Sequence, residues 1–147
     1  MQHFAIPSVP VSWGELLDKI TILEIKRERM DRPDALANVE KEHRVLSEAA
    51  AHVLQIDGVP PLLQRLKRIN ETLWEVEDAI REQEADARFG PRFVALARSV
   101  YKTNDERAAI KRAINALLNS ELIEEKSYAG SDAARVSQPR LIAEPAD

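Results

Sequence analysis

The sequence has no cysteine, which excludes disulfides, zinc ribbons, iron–sulfur clusters and thiol catalysis. Its four glycines, at positions 14, 58, 90 and 130, are too scattered to build a phosphate-cradling loop. No Gly-x-Ser-x-Gly is present to raise a nucleophilic serine. No apolar run approaches the ~20 residues that a membrane span requires. The opening Met1-Gln2-His3-Phe4 has neither the basic segment nor the apolar core of a secretory leader. The expectation is a cytoplasmic chain without a membrane partner. A net charge of −4 disfavours nucleic acid, and Arg65-Leu66-Lys67-Arg68 and Lys111-Arg112 read as solvated basic spots. What is there suits one globular domain: 147 residues, 44% hydrophobic and 31% charged.

Proline divides the chain, because it breaks helix interiors and is tolerated in a first turn. The proline-free windows run over residues 12–31, 34–56, 61–88 and 91–119. Ser12-Trp13-Gly14-Glu15 has the form of a capping box. Pro61 and Pro91 suit the first helical position, with Gly58 and Gly90 as breakers before them. Leu62, Leu66, Ile69, Leu73, Val76 and Ile80 alternate spacings of four and three, an amphipathic helical stripe. The second window repeats this with Leu36, Val39, His43, Leu46, Ala50 and Val53. The fourth does so with Phe93, Leu96, Val100, Asn104, Arg107, Lys111, Ile114 and Leu118. Strand alternation is confined to the lead-in Phe4-Ala5-Ile6.

Short connections between long helices favour antiparallel neighbours. The expected fold is all-α, an up-and-down antiparallel four-helix bundle over residues 1–128, with a loosely ordered tail over residues 129–147. Residues 120–126 are expected to add one or two helical turns. Acidic residues crowd the second half of helix three, and Arg92, Arg98 and Lys102 lie in the facing half of helix four, which supports pairing of the two. Helix one has two apolar faces. Trp13, Leu16, Ile20, Leu23 and Met30 form one, and Ile22 and Ile25 lie nearly opposite. Such a helix sits centrally or makes a subunit contact. A homo-oligomer, with a dimer favoured, or another protein is the expected partner.

Polar residues interrupt these stripes. Asn104, Arg107 and Lys111 lie within that of helix four, His43 within that of helix two, and Arg27, with Glu24 before it, on the main face of helix one. Asn70, Trp74 and Glu77 flank the stripe of helix three. Turns near residues 33, 58 and 90 bring Glu24, Arg27, His43, Asn70, Trp74, Asn104 and Arg107 to one height. Buried charge must be paired. One reading is a structural layer, with Arg27 and Arg107 paired to Glu24 and Glu77. The other is a pocket for a small anionic ligand, with Trp74 or Tyr101 as its apolar wall.

Other chemistries find less support. Glu40-Lys41-Glu42-His43 holds one Glu-x-x-His where a di-iron bundle needs two, so no metal or cofactor is expected. Glu71, Glu75, Glu77 and Asp78 lack the spacing of helical nucleotide pyrophosphohydrolases. Leu16, Ile20, Leu23 and Arg27 are faintly similar to the first helix of chorismate mutases. The first-turn arginine of that family has no counterpart in Trp13-Gly14-Glu15.

Three blocks carry a broader likeness: Pro10 to Lys26 (PVSWGELLDKITILEIK), Asn70 to Arg81 (NETLWEVEDAIR) and Tyr101 to Arg112 (YKTNDERAAIKR). Together they resemble a small bacterial family classified as a domain of unknown function, over about Ile6 to Tyr128. The resemblance implies a bacterial, stand-alone domain and no activity. The functional expectation is a non-enzymatic binding or assembly module. The alternative is a binder of, or enzyme acting on, a small anionic metabolite held by Glu24, Arg27, His43, Asn70, Trp74, Glu77, Tyr101, Asn104, Arg107 and Lys111.

Overall fold

The computed structural model describes residues 1–128. The expected tail, residues 129–147, lies outside the described residues. Four helices make up the fold: α1 Trp13–Arg29, α2 Pro33–Ala50, α3 Val59–Ala85 and α4 Pro91–Leu117. Helix entry follows the local chemistry. The Ser12 hydroxyl caps α1 by accepting from the Glu15 N–H at 3.2 Å. Pro33 opens α2 and Pro91 opens α4 behind Gly90. α3 starts two residues earlier than the Pro61 reading, at Val59 behind a left-handed Gly58. The lead-in, residues 1–11, forms neither helix nor strand.

α1 is the central helix: it packs against α2, α3 and α4, and α3 packs along α4. This covers most of both apolar faces of α1 inside one chain, with Ile22 left half-buried. Leu16, Ile20 and Leu23 are buried on one side and Ile25 on the other, so a subunit contact is not needed to cover them. The core joins Leu16, Leu17 and Ile20 to Ala50, Val53, Val59, Leu66, Ile110 and Ile114.

Helix lengths differ with consequence. At 1.5 Å rise per residue, α3 and α4, 27 residues each, run about 40 Å, and α1, 17 residues, about 25 Å. The α3–α4 hairpin therefore overhangs α1. No side chain between Asn70 and Thr103 is buried, although Leu73, Val76, Ile80, Phe93, Leu96 and Val100 continue the seam. The acidic and basic halves of this overhang are joined by no ion pair among the described residues, so the apolar seam, not charge, holds the hairpin.

The expected extra turns after Asn119 are absent. Asn119 takes a left-handed conformation (φ 49°), and the Ser120 N–H donates back to the Asn115 carbonyl at 2.8 Å. This closes α4 and reverses the chain. The Ser120 hydroxyl then accepts from the Trp13 N–H at 3.2 Å and donates to the Leu122 carbonyl at 2.6 Å, pinning the return segment to the start of α1.

Candidate functional site

The face of α1 toward α4 is built from Gly14, Asp18, Thr21 and Ile25, spaced four, three and four residues apart. Asp18 is wholly buried on it. Arg107 answers from α4, with its Nε donating to Asp18 Oδ1 at 2.9 Å and its Nη2 to Oδ2. Asn70 adds a third arm from α3. Its Nδ2 donates to Asp18 Oδ1 and to Thr21 Oγ1, both at 2.9 Å. The Thr21 hydroxyl in turn donates to the Asp18 carbonyl at 2.8 Å. A buried carboxylate is thus met by a fork of donors, the arrangement that offsets its desolvation. The hydrogen bond that Arg107 makes to Asp18 raises its pKa, against the downward pull of burial.

One turn toward the α1 N-terminus lies a second cluster. Lys111 Nζ donates to Glu15 Oε2 and to Glu124 Oε2, both at 2.7 Å. Burial pulls the Lys111 pKa down, but the two carboxylates outweigh it and the net shift is upward. Glu124 is held down to about 2 by Lys111 and then by Lys126. A depressed carboxylate stabilises the fold above its ordinary pKa of 4.5, and that contribution is lost as pH falls through its folded value. With solvent screening it is on the order of 1 kcal/mol. Glu124→Gln should therefore lower stability by about that amount at neutral pH. The difference from wild type should shrink between about pH 5 and about pH 2. Urea denaturation of both chains at the two pH limits checks this. An equal gap at both would rule the ion pair out as its source.

Above the Asp18 network the overhanging hairpin opens a cleft of about 590 Å³. Asn70, Leu73, Trp74, Glu77, Asp78 and Arg81 line it from α3, Asn104 and Arg107 from α4, and Ile22 and Ile25 from α1. Its α3 wall follows one helical face along spacings of three and four, with Asn70 at the floor, Leu73 and Trp74 above it and charges at the lip. Glu77 and Arg81 pair along α3, one turn apart, at 3.8 Å.

The ten sequence candidates divide in space. Asn70, Trp74, Glu77, Asn104 and Arg107 come together in the cleft. Lys111 sits below it with Glu15 and Glu124. Tyr101 is 54% exposed and lies outside the cleft lining. Glu24, Arg27 and His43 lie on the α2 side of α1. There Glu24 stands 3.8 Å from His43 Nε2 and 3.6 Å from Lys67 Nζ, and Arg27 pairs with Glu40 at 3.7 Å. His43 Nε2 is buried without a hydrogen bond. The expected Arg27–Glu24 and Arg107–Glu77 pairs do not form. Glu77 is two turns beyond Asn70, which shares Arg107's level, and Asp18 stands directly opposite.

Asp18, Thr21, Glu15, Asn115 and Glu124 are the residues the sequence reading did not select. Counting back from Ile25 by helical spacing passes through Thr21, Asp18 and Gly14, so the second face of α1 carried the signal. Among the described residues no cluster of three or more histidines or carboxylates is placed to hold a metal ion, and no helix is long and apolar enough to cross a membrane.

Residues 8–140 match a family described as a family of unknown function, DUF6165. No curated protein and no solved structure matches the chain.

Proposed function

We propose a function from geometry, because the chain belongs to the DUF6165 family of unknown function and membership brings no activity with it. The protein is a non-catalytic binding or assembly module that acts through the cleft between α1 and the overhanging hairpin. The observation that carries this reading is the cleft itself. Half-buried Leu73 and Trp74 stand open above a floor fixed by the buried Asp18–Arg107–Asn70 network. A rigid polar floor under an apolar wall is what a recognition site needs. The charged groups favour binding over bond-making, because Arg107 and Lys111 are already engaged by carboxylates.

A small anionic metabolite on Arg107 is the second reading. Its support is that Arg107 lines the cleft while Asp18 engages only Nε and Nη2. Thermal-shift and tryptophan-fluorescence screening against short peptides and against carboxylated and phosphorylated metabolites tests both. Binding by the wild type should weaken about tenfold or more in Trp74→Ala, with the unfolding midpoint nearly unchanged. Ligands whose affinity ignores Trp74→Ala and Asn104→Ala, or a screen without a single binder and no association of the chain, would overturn the cleft as the site.

A further inference from the structure

The lead-in to α1 presents the opposite surface. Residues 1–11 are all exposed: Phe4 is 86% exposed, Ile6 67% and Val9 73%. Exposed apolar side chains gathered on one extended segment mark an interaction element. Pro7 and Pro10 fix their own φ and bias the residues before them toward extended backbone. The arm is therefore stiff, and its 11 residues can reach about 35 Å. It carries no carboxylate, and the lip it would approach carries Glu77 and Asp78 against a single cation, Arg81.

We propose that this arm docks in the cleft of a second copy of the chain, with Phe4 and Ile6 against Leu73, Trp74 and Ile22, in a reciprocal exchange. The inference rests on the cleft being the binding site and names its occupant. Placement argues for a second copy. The start of α1 is tied to the far end of α4, through the Gly14 N–H and Asn115 Oδ1 at 2.7 Å. The hairpin turn lies at the other end of the bundle. In the structure the arm does not occupy its own cleft: none of residues 1–11 lines it, and all eleven are exposed. Two arms exchanged about a twofold axis bury both apolar elements at once, the closed isologous arrangement that limits growth to a dimer.

The test uses full-length chains. Sedimentation equilibrium should find the wild type dimerising. The Phe4→Asp, Ile6→Asp double variant and the Trp74→Ala variant should each dimerise about tenfold or more weakly. The arm variant keeps an intact cleft and the Trp74 variant an intact arm, so mixing them should give mixed dimers, held by one intact arm–cleft contact, that form more readily than the dimers of either variant alone. A synthetic peptide of residues 1–11 should bind the arm variant and shift its Trp74 fluorescence. A dimer indifferent to both substitutions would overturn the exchange, as would an arm that folds onto its own cleft in a monomer. A wild type that stays monomeric and an arm variant that ignores the peptide would also overturn it. In that last case the cleft reading survives if Trp74-dependent binding of other ligands persists, and falls with it if none is found.

Discussion

Arg107→Met should destabilise the fold by about 3–5 kcal/mol, the largest loss expected from removing one charge in this protein. Asp18 is the reason. Its side chain is 1% exposed, so water cannot replace the guanidinium, and Oδ2 loses the donor it has. Asn70 continues to donate to Oδ1, which leaves half of the carboxylate uncompensated. For a chain of this size the loss corresponds to a fall in unfolding midpoint of roughly 10–15 °C. Arg107→Lys should recover only part of it, because a single ammonium cannot span both oxygens as the planar fork does. The double variant Asp18→Leu, Arg107→Met should be closer to wild type than Arg107→Met alone, since a buried pair replaced by apolar groups leaves no charge behind. Guanidinium denaturation of the four chains settles the matter. A loss below about 1 kcal/mol in Arg107→Met would mean that the pair behaves as an ordinary surface bridge.

The same network shows what the sequence makes visible and what it conceals. The apolar stripes of α2 and α3 and the cap at Ser12 are local patterns, and the helices form where those patterns run. Heights along the bundle were legible too: His43 stands beside Glu24, and Asn70 shares Arg107's level, as turns near residues 33 and 90 require. Azimuth was not legible. Residues at one height fall on either side of a central helix, and periodicity within α2 or α4 does not say which face of α1 each one meets. Hence one expected layer is two separate clusters, and Arg27 and His43 never approach Arg107. The partner of Arg107 escaped for a related reason. Asp18 and Thr21 are polar residues on a face whose apolar members, Ile22 and Ile25, lie a turn further on. A hydrophobic pattern does not register a buried carboxylate. Likewise nothing in Glu121-Leu122-Ile123-Glu124 announces that Asn119 will reverse the chain and deliver Glu124 to Lys111.

Gly14→Ala separates two physical effects of opposite sign. Gly14 lies in the first turn of α1, and helix propensity alone favours alanine there by up to about 1 kcal/mol. Packing opposes it. A Cβ at this position would stand 2.6 Å from the Lys111 carbonyl oxygen and 3.0 Å from Asn115 Oδ1. The first of these atoms is backbone of α4 and cannot rotate aside. The two helices must therefore separate, and separation strains what joins them nearby: the Gly14 N–H to Asn115 bond, Lys111 to Glu15, and Arg107 to Asp18 one turn on. Overpacking of this kind costs about 1–3 kcal/mol by itself. Loosening the Asp18 pair adds to that, so the net expectation is a loss of about 2–4 kcal/mol. Asn115→Ala supplies the control. It removes the hydrogen bond without adding volume and should cost about 1–2 kcal/mol, less than Gly14→Ala. Chemical denaturation of the two variants reads the difference. Unchanged or raised stability in Gly14→Ala would mean that α1 and α4 can part at no cost, and that the buried pair between them is not held by their close approach.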